Sequence, residues 1–142
     1  MRLLRNNVTS RIENTLVQTL KMEVIEDDNP TSVTIKMPVG RFNCQSLGLL
    51  HGGATIALGE TAAGIGSNNI CDEDKACVGM QISTNHISSA QIGDVVRAEA
   101  ELIHKGHTTH VWDVNVFSEN TGKLISSLRV TNSVIKRPPI NT

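Results

Sequence analysis

The residues best equipped for chemistry stand close together in the chain: Gln45, His51, Gly52, Gly53 and Glu60. A polar, glycine-rich turn over 45–53 runs into a segment where Ala54, Ile56, Ala57, Leu58, Ala62, Ala63 and Ile65 leave no wide polar side. That segment reads as a helix, and a helix apolar all round is a buried one. The first turn of a helix carries backbone N–H groups without intrahelical acceptors and the positive end of the dipole, which suit developing negative charge. Glycine there lets another molecule come close to the backbone. Glu60 places a full charge near the middle of this apolar stretch, and a buried carboxylate is costly unless paired, hydrogen-bonded or neutralised. Such a carboxylate can serve as a general base or as a nucleophile. The same residues also fit a plainer account. The glycines then only allow a tight turn, His51 only stabilises the helix start, and Glu60 reaches solvent or a subunit interface.

Composition narrows the function classes. A chain of 142 residues is read as one domain, 1–142, long enough for a proper core. Apolar residues at 39% and charged residues at 19% describe an ordinary globular protein. The net charge is −1, and Lys and Arg form no long cluster, which argues against a nucleic-acid surface. The aromatic side chains are Phe42, Trp112 and Phe117, too few for base-stacking platforms. Cys44, Cys71 and Cys77 give neither a disulfide framework nor a C-x-x-C zinc pattern, so a reducing cytoplasm is expected. Met1 to Asn7 lacks the apolar run of a signal peptide, and no membrane span is expected. The acidic run Asp72-Glu73-Asp74 reads as a solvated loop. His104, His107 and His110 have no acid or cysteine at ligand spacing, so no metal and no cofactor is expected.

The periodicity supplies the elements that must position these residues. A short amphipathic helix is predicted over about 9–20, capped by Thr9 or Ser10, with Ile12, Leu16, Val17 and Leu20 on one face. Met22 to Glu26 is a weak first strand, and Val33, Ile35, Met37 and Val39 alternate as a second. The apolar helix follows over 53–69. Four alternating runs complete the chain, through Ala76–His86, Val96–Leu102, Trp112–Val116 and Leu124–Val134, joined by turns at Gly93, Gly106 and Gly122. Short turns between long alternating runs predict an antiparallel meander. A sheet with one solvated face needs apolar cover on the other, and the 53–69 helix is the candidate. The predicted class is α+β, an antiparallel sheet wrapped around one central helix.

Gly48-Leu49-Leu50-His51-Gly52-Gly53, with Glu60 nine residues after His51, resembles the G-L-x-H-G-G turn and spaced acid of the hotdog-fold acyl-CoA thioesterases. Within them, it is similar to the group of the phenylacetate-degradation, enterobactin-proofreading and dihydroxynaphthoyl-CoA thioesterases. Val78-Gly79, Asn85-His86 and Gly93-Asp94-Val95-Val96-Arg97 extend the resemblance over roughly 23–135. The resemblance implies hydrolysis of an acyl- or aroyl-CoA, or carrier-protein, thioester. Glu60 would be general base or nucleophile, the Gly52 backbone N–H the oxyanion donor, and His51 and Gln45 would sit beside the carbonyl. It further implies substrate contacts from His86, Gly79, Thr61, Ser67, Ser88, Ser89 and Lys105. The partners implied are an acyl-CoA substrate and further copies of the chain, as a dimer or dimer of dimers with the site between protomers.

Two positions depart from that pattern. Gly64 stands where close aryl-CoA members carry a serine, and Ser88 where they carry an arginine associated with the phosphates. Lys105, His107, Lys136 and Arg137 are candidate substitutes for that arginine. Two other readings stay open beside hydrolysis: a hotdog enoyl-CoA hydratase or dehydratase, and a non-enzymatic acyl-CoA-binding protein.

Overall fold

In the second strand, Val33, Ile35, Met37 and Val39 are buried, while Ser32, Thr34, Lys36 and Pro38 lie between them half-buried. That alternation is how a sheet with one covered face is written into sequence. The computed structural model describes residues 12–139. Its elements run α1 (Leu16–Thr19), β1 (Glu23–Ile25), β2 (Ser32–Pro38), a 3-10 turn (Arg41–Asn43), α2 (Gly52–Ile70), β3 (Lys75–His86), β4 (Val95–Lys105), β5 (Thr109–Ser118) and β6 (Leu124–Lys136). The strands form one six-stranded antiparallel sheet in the order β1-β2-β4-β5-β6-β3. The predicted class and the sheet around one long helix are therefore observed.

The strand order corrects the simple meander. β4, β5 and β6 do follow one another, but β3 lies at the far edge beside β6 and not beside β4. The connection over 87–94 crosses the end of the sheet to make up the difference. It starts beside β6, where Ile87 N–H donates to Ile125 O at 2.7 Å. It runs past the glycine turn, where Leu50 N–H donates to Ala90 O at 2.8 Å. It ends beside β2, where Val39 N–H donates to Asp94 O at 2.8 Å. The loop thereby ties the 45–50 turn, and with it the start of α2, to both sides of the sheet.

The predicted helix over 9–20 is interrupted where it is described. Ile12 is helical and Leu16–Thr19 form a separate turn, with 13–15 between them not helical and Leu16 exposed. Asn14 at φ 58 and Lys21 at φ 55 are left-handed, a conformation that interrupts a right-handed helix. Thr9 and Ser10, the expected caps, lie outside the described residues.

α2 is not buried all round. Thr55, Leu58, Gly59, Ala62, Ala63, Gly66 and Ser67 form its buried face. Leu58, Ala62 and Ala63 pack with Ile35, Met37, Val96, Trp112, Val114 and Val130 in the core. Small residues let this face sit close to the sheet. A Cβ on Gly66 would run into the Trp112 ring. Glu60, on the other side, is exposed, so its charge costs far less than the sequence suggested. Among the described residues, no helix is long and apolar enough to cross a membrane.

Candidate functional site

Gly52 is the first residue of α2 and His51 its N-cap. His51 Nδ1 accepts the Gly53 N–H at 2.8 Å, so the imidazole does the work of a capping oxygen. On the neutral ring, the proton then sits on Nε2, which faces away from the backbone it caps. The histidine's structural role is thus real, and it leaves the outer nitrogen exposed with the rest of the side chain. Among the described residues the Gly52 N–H has no hydrogen-bond partner, while those of Ala54 and Thr55 both reach His51 O. One donor at the positive end of the helix is left open.

Gln45 lies in the turn just before, inside the bridge between Cys44 and Leu50. Its backbone N–H donates to Leu49 O at 2.8 Å, and its carbonyl accepts the Gly48 N–H at 3.0 Å. Gly48 turns the chain at φ +77, a conformation that favours glycine. The Gln45 side-chain oxygen accepts the Leu47 N–H, which leaves the amide NH₂ as the group free to face a ligand.

α2 lies along the edge strand β3, running against it. At its start Gly52 abuts His86, where a Cβ would come within 2.6 Å of His86 Nε2. In the middle, Glu60 packs on Gly79, whose missing side chain makes room for the carboxylate. Farther on, Asn68 clasps Cys77, accepting its N–H at 2.9 Å and donating to its carbonyl at 3.0 Å. The fold therefore pairs four sequence-predicted residues along one helix–strand seam, Gly52 with His86 and Glu60 with Gly79, the two pairs about 12 Å of helix apart. A β-bulge follows directly after Gly79, between it and Gln81, and bends the strand beside the carboxylate.

Other predicted residues are placed differently. Thr61 is half-buried and its hydroxyl donates back to Ala57 O at 2.7 Å within the helix. Ser88 donates to Leu124 O at 2.6 Å. With exposed Ser89 it borders an open cavity of about 350 Å³ lined also by Gln91, Asp94 and Lys123. Lys105 is exposed at the end of β4, opposite His110 on β5, three strands across the sheet from Gly79. It is not joined to the seam within one chain.

Ser67 is a correction. It is 0% exposed and cannot meet a substrate. Trp112 Nε1 donates to its Oγ at 2.8 Å and Asn132 Nδ2 at 2.9 Å. Both lone pairs are thereby filled, so the hydroxyl proton goes to His110 Nδ1, 2.9 Å away. Burial holds His110 below its ordinary range, with Lys105 and then His104 adding to the effect. Burial, with the neighbouring Cys71 adding to it, pushes the Cys77 thiol up to about 12. Cys77 is therefore no thiolate nucleophile near neutral pH. This cluster is core structure. Ser67 links its polar members beneath the seam, while Asn132 Oδ1 is buried without a partner among the described residues.

One residue the sequence did not single out stands in the site. Ser126, fully buried on β6, has its Oγ 2.7 Å from His86 Nδ1. The two are cross-strand partners, His86 with Ser126. No local motif marks that pairing, because it depends on the register of strands far apart in sequence.

Comparison with known proteins gives this geometry a context. The family model described as thioesterase superfamily matches residues 47–125, the stretch from the glycine turn into β6. The 1,4-dihydroxy-2-naphthoyl-CoA hydrolase of Listeria monocytogenes is 35% identical over 122 residues, covering 86% of this chain and 97% of that one. A thioesterase of Haemophilus influenzae superposes with a TM-score of 0.84 at 32% identity, covering 92% of this chain and 89% of the other. A thioesterase of Staphylococcus aureus, solved as a glutamine-to-alanine variant, gives a TM-score of 0.80 at 40% identity, covering 86% and 98%.

Proposed function

The chain belongs to the thioesterase superfamily and is a hotdog-fold enzyme that hydrolyses CoA thioesters, and from that premise we propose how its own residues carry the reaction. Glu60 acts on the thioester carbonyl, and the Gly52 N–H of a second copy receives the oxyanion, since about 12 Å of helix separates the two residues within one chain. The observation that carries this reading is the exposed Glu60 carboxylate seated on Gly79, on the same seam as the unpartnered Gly52 N–H.

The chemistry follows from that placement. A thioester oxygen drawn to the Gly52 N–H sits at the positive end of α2, where negative charge is stabilised as it develops. Glu60 takes a proton from a water that adds to the carbonyl carbon, or adds to that carbon itself and is released by water afterwards. In the first course Glu60 returns that proton to the sulfur as the C–S bond breaks; in the second the sulfur leaves as thiolate and takes up the proton released when water opens the anhydride, which frees the acid and restores Glu60. His51 Nε2 and the Gln45 amide, both on the turn before the helix, are placed to hold the carbonyl or the water. In the Staphylococcus aureus thioesterase, alanine replaces a glutamine in one structure and a glutamate in another, separated by the same sequence interval as Gln45 and Glu60. That spacing supports treating the two as one working unit.

The acyl group is proposed as acyl or aroyl, the named hydrolase of Listeria monocytogenes lending weight to an aromatic one. Gly64 bears on its size. A Cβ there would meet nothing within 4 Å, so the position where related aryl-CoA enzymes carry serine stands open. We further propose that two copies complete the site, because Glu60 and Gly79 both lie on the exposed margin of the chain.

Glu60→Gln tests the reading. The expected result is a fall in kcat of about 10²-fold or more with an unchanged circular dichroism spectrum, measured on a panel of acyl- and aroyl-CoA thioesters. Turnover near that of the wild type removes Glu60 from the mechanism. Hydration of crotonyl-CoA by the wild type would favour the hydratase alternative, and tight binding without turnover the non-enzymatic one.

A further inference from the structure

The His86 ring is held at one nitrogen and lies against the start of α2 with the other. Nδ1 lies 2.7 Å from Ser126 Oγ. Nε2 is the atom nearest to where a Gly52 side chain would begin, at 2.6 Å, with the two flanking ring carbons equally far at 3.2 Å. The position of a Gly52 Cβ is thus centred over the ring face at Nε2 and off the N–H axis, so Gly52 packs against that face at the first residue of α2. Only the absence of a Cβ on Gly52 admits it there.

The hydroxyl that holds the ring is itself constrained. Ser126 is 0% exposed, and His86 is the partner of its Oγ among the described residues. A serine hydroxyl has one proton to give and two lone pairs. A buried donor left without an acceptor costs its full desolvation, whereas an unfilled lone pair on oxygen is better tolerated. With one partner in reach, the hydroxyl is best satisfied by donating to Nδ1. The proton of the neutral ring then sits on Nε2, the ring atom nearest Gly52.

We propose that Ser126 is a positioning residue that fixes His86 as the Nε2–H tautomer, so that His86 Nε2–H and the Gly52 N–H form a two-donor hole for the oxygen of the reacting carbonyl. The assignment rests on the hydrolytic reading above and deepens it. The neighbouring donors fit this division of labour: the Gly53 N–H is taken by His51, and the Gly52 N–H is not. As the nucleophile adds, the carbonyl oxygen gains negative charge and both N–H groups strengthen their hold. As the C–S bond breaks, the charge returns to the leaving sulfur and the hole relaxes. His86 keeps its proton throughout, acting as a donor and not as an acid.

Long-range ¹H–¹⁵N spectra of the histidine side chains, assigned with His86→Gln, read the tautomer directly. The expected wild-type signature is Nε2–H. Ser126→Ala should give a mixture of tautomers and lower kcat about 10-fold with KM within about twofold, a split that marks lost transition-state contact and not lost binding. His86→Gln should cost roughly 10²-fold in kcat, and adding Ser126→Ala to it should cost nothing more, as expected of residues acting through one another. A wild-type Nδ1–H signal, an unchanged tautomer and kcat in Ser126→Ala, or fully additive losses would overturn the assignment. The wild-type spectrum decides the tautomer even where a variant folds poorly. Because it needs no turnover, failure here is distinct from failure of the hydrolytic reading, which undiminished hydrolysis by Glu60→Gln alone would bring down.

Discussion

Glu60 and Gly79 work as a pair in which one residue matters for what it lacks. A Cβ on Gly79 would occupy the space of the Glu60 carboxylate oxygen. Gly79→Ala should therefore push the carboxylate off its seat without touching the core, since both residues are exposed. Displacement of a reacting group by about 1 Å can cost on the order of 10² in rate. The expected outcome is a kcat loss of about that size with a melting temperature close to wild type, read by steady-state kinetics and thermal denaturation. A variant as active as wild type would mean that Glu60 does not act from this rotamer. At this scale the sequence was partly legible. His51, Gly52 and Glu60 could be read because one helix and its cap place them by spacing alone. The seat on Gly79 and the tether from Ser126 could not, since both depend on which residues of β3 and β6 face α2. Ser67 misled for the same reason. Seven residues after Glu60 it falls on nearly the same side of α2, but two turns along that side is covered by the sheet, where Trp112, Asn132 and His110 claim it.

Elements were legible where a pattern repeats and opaque where it does not. The alternation in β2, β4 and β5 marks strands whose inner residues are buried, because one face lies on the helix. β3 carries the same parity but is an edge strand, exposed along much of its length, so nothing in its own residues says that β6 is its neighbour. The packing of α2 on the sheet makes two predictions. Gly66→Ala drives a methyl group into the fully buried Trp112 ring and should destabilise the fold by about 1–3 kcal/mol in denaturant unfolding, as overpacking does. His110, beneath the same helix, makes stability depend on pH. Its folded pKa is lowered from 6.5, first by burial and then by Lys105 and His104. The unfolded chain therefore takes up the proton first as the pH falls. The stabilisation is fully present above 6.5 and is lost as pH drops through the lower folded value. Unfolding free energies measured from about pH 7.5 down to about pH 5 should fall more steeply for wild type than for His110→Gln. Parallel curves would show that His110 is not the titrating group.

The whole molecule is organised around an unfinished edge. Among the described residues, β3 has β6 on one side and no strand on the other. Val78 and Met80 stand exposed along it at 46% and 59%, one on each side of Gly79. A long edge strand with apolar side chains is an aggregation hazard unless something covers it. Asn68 closes only the first part, pairing its amide with the backbone of Cys77 as a neighbouring strand would. Beyond that point the edge is open beside the exposed Glu60. A second copy related by a twofold axis would pair the same edges and cover the same apolar residues in both chains. It would also wall the seam where Glu60 sits, excluding water from a carbonyl that a lone chain leaves open to solvent. Met80→Glu places a charge in the middle of that contact and leaves the core alone. The expected protein is a folded monomer by sedimentation, with hydrolysis lowered at least about 10²-fold because the enclosed site is lost. A Met80→Glu protein that stays monomeric yet hydrolyses at the wild-type rate would show that one chain holds a complete site. A dimer that survives the charge would place the contact on another face.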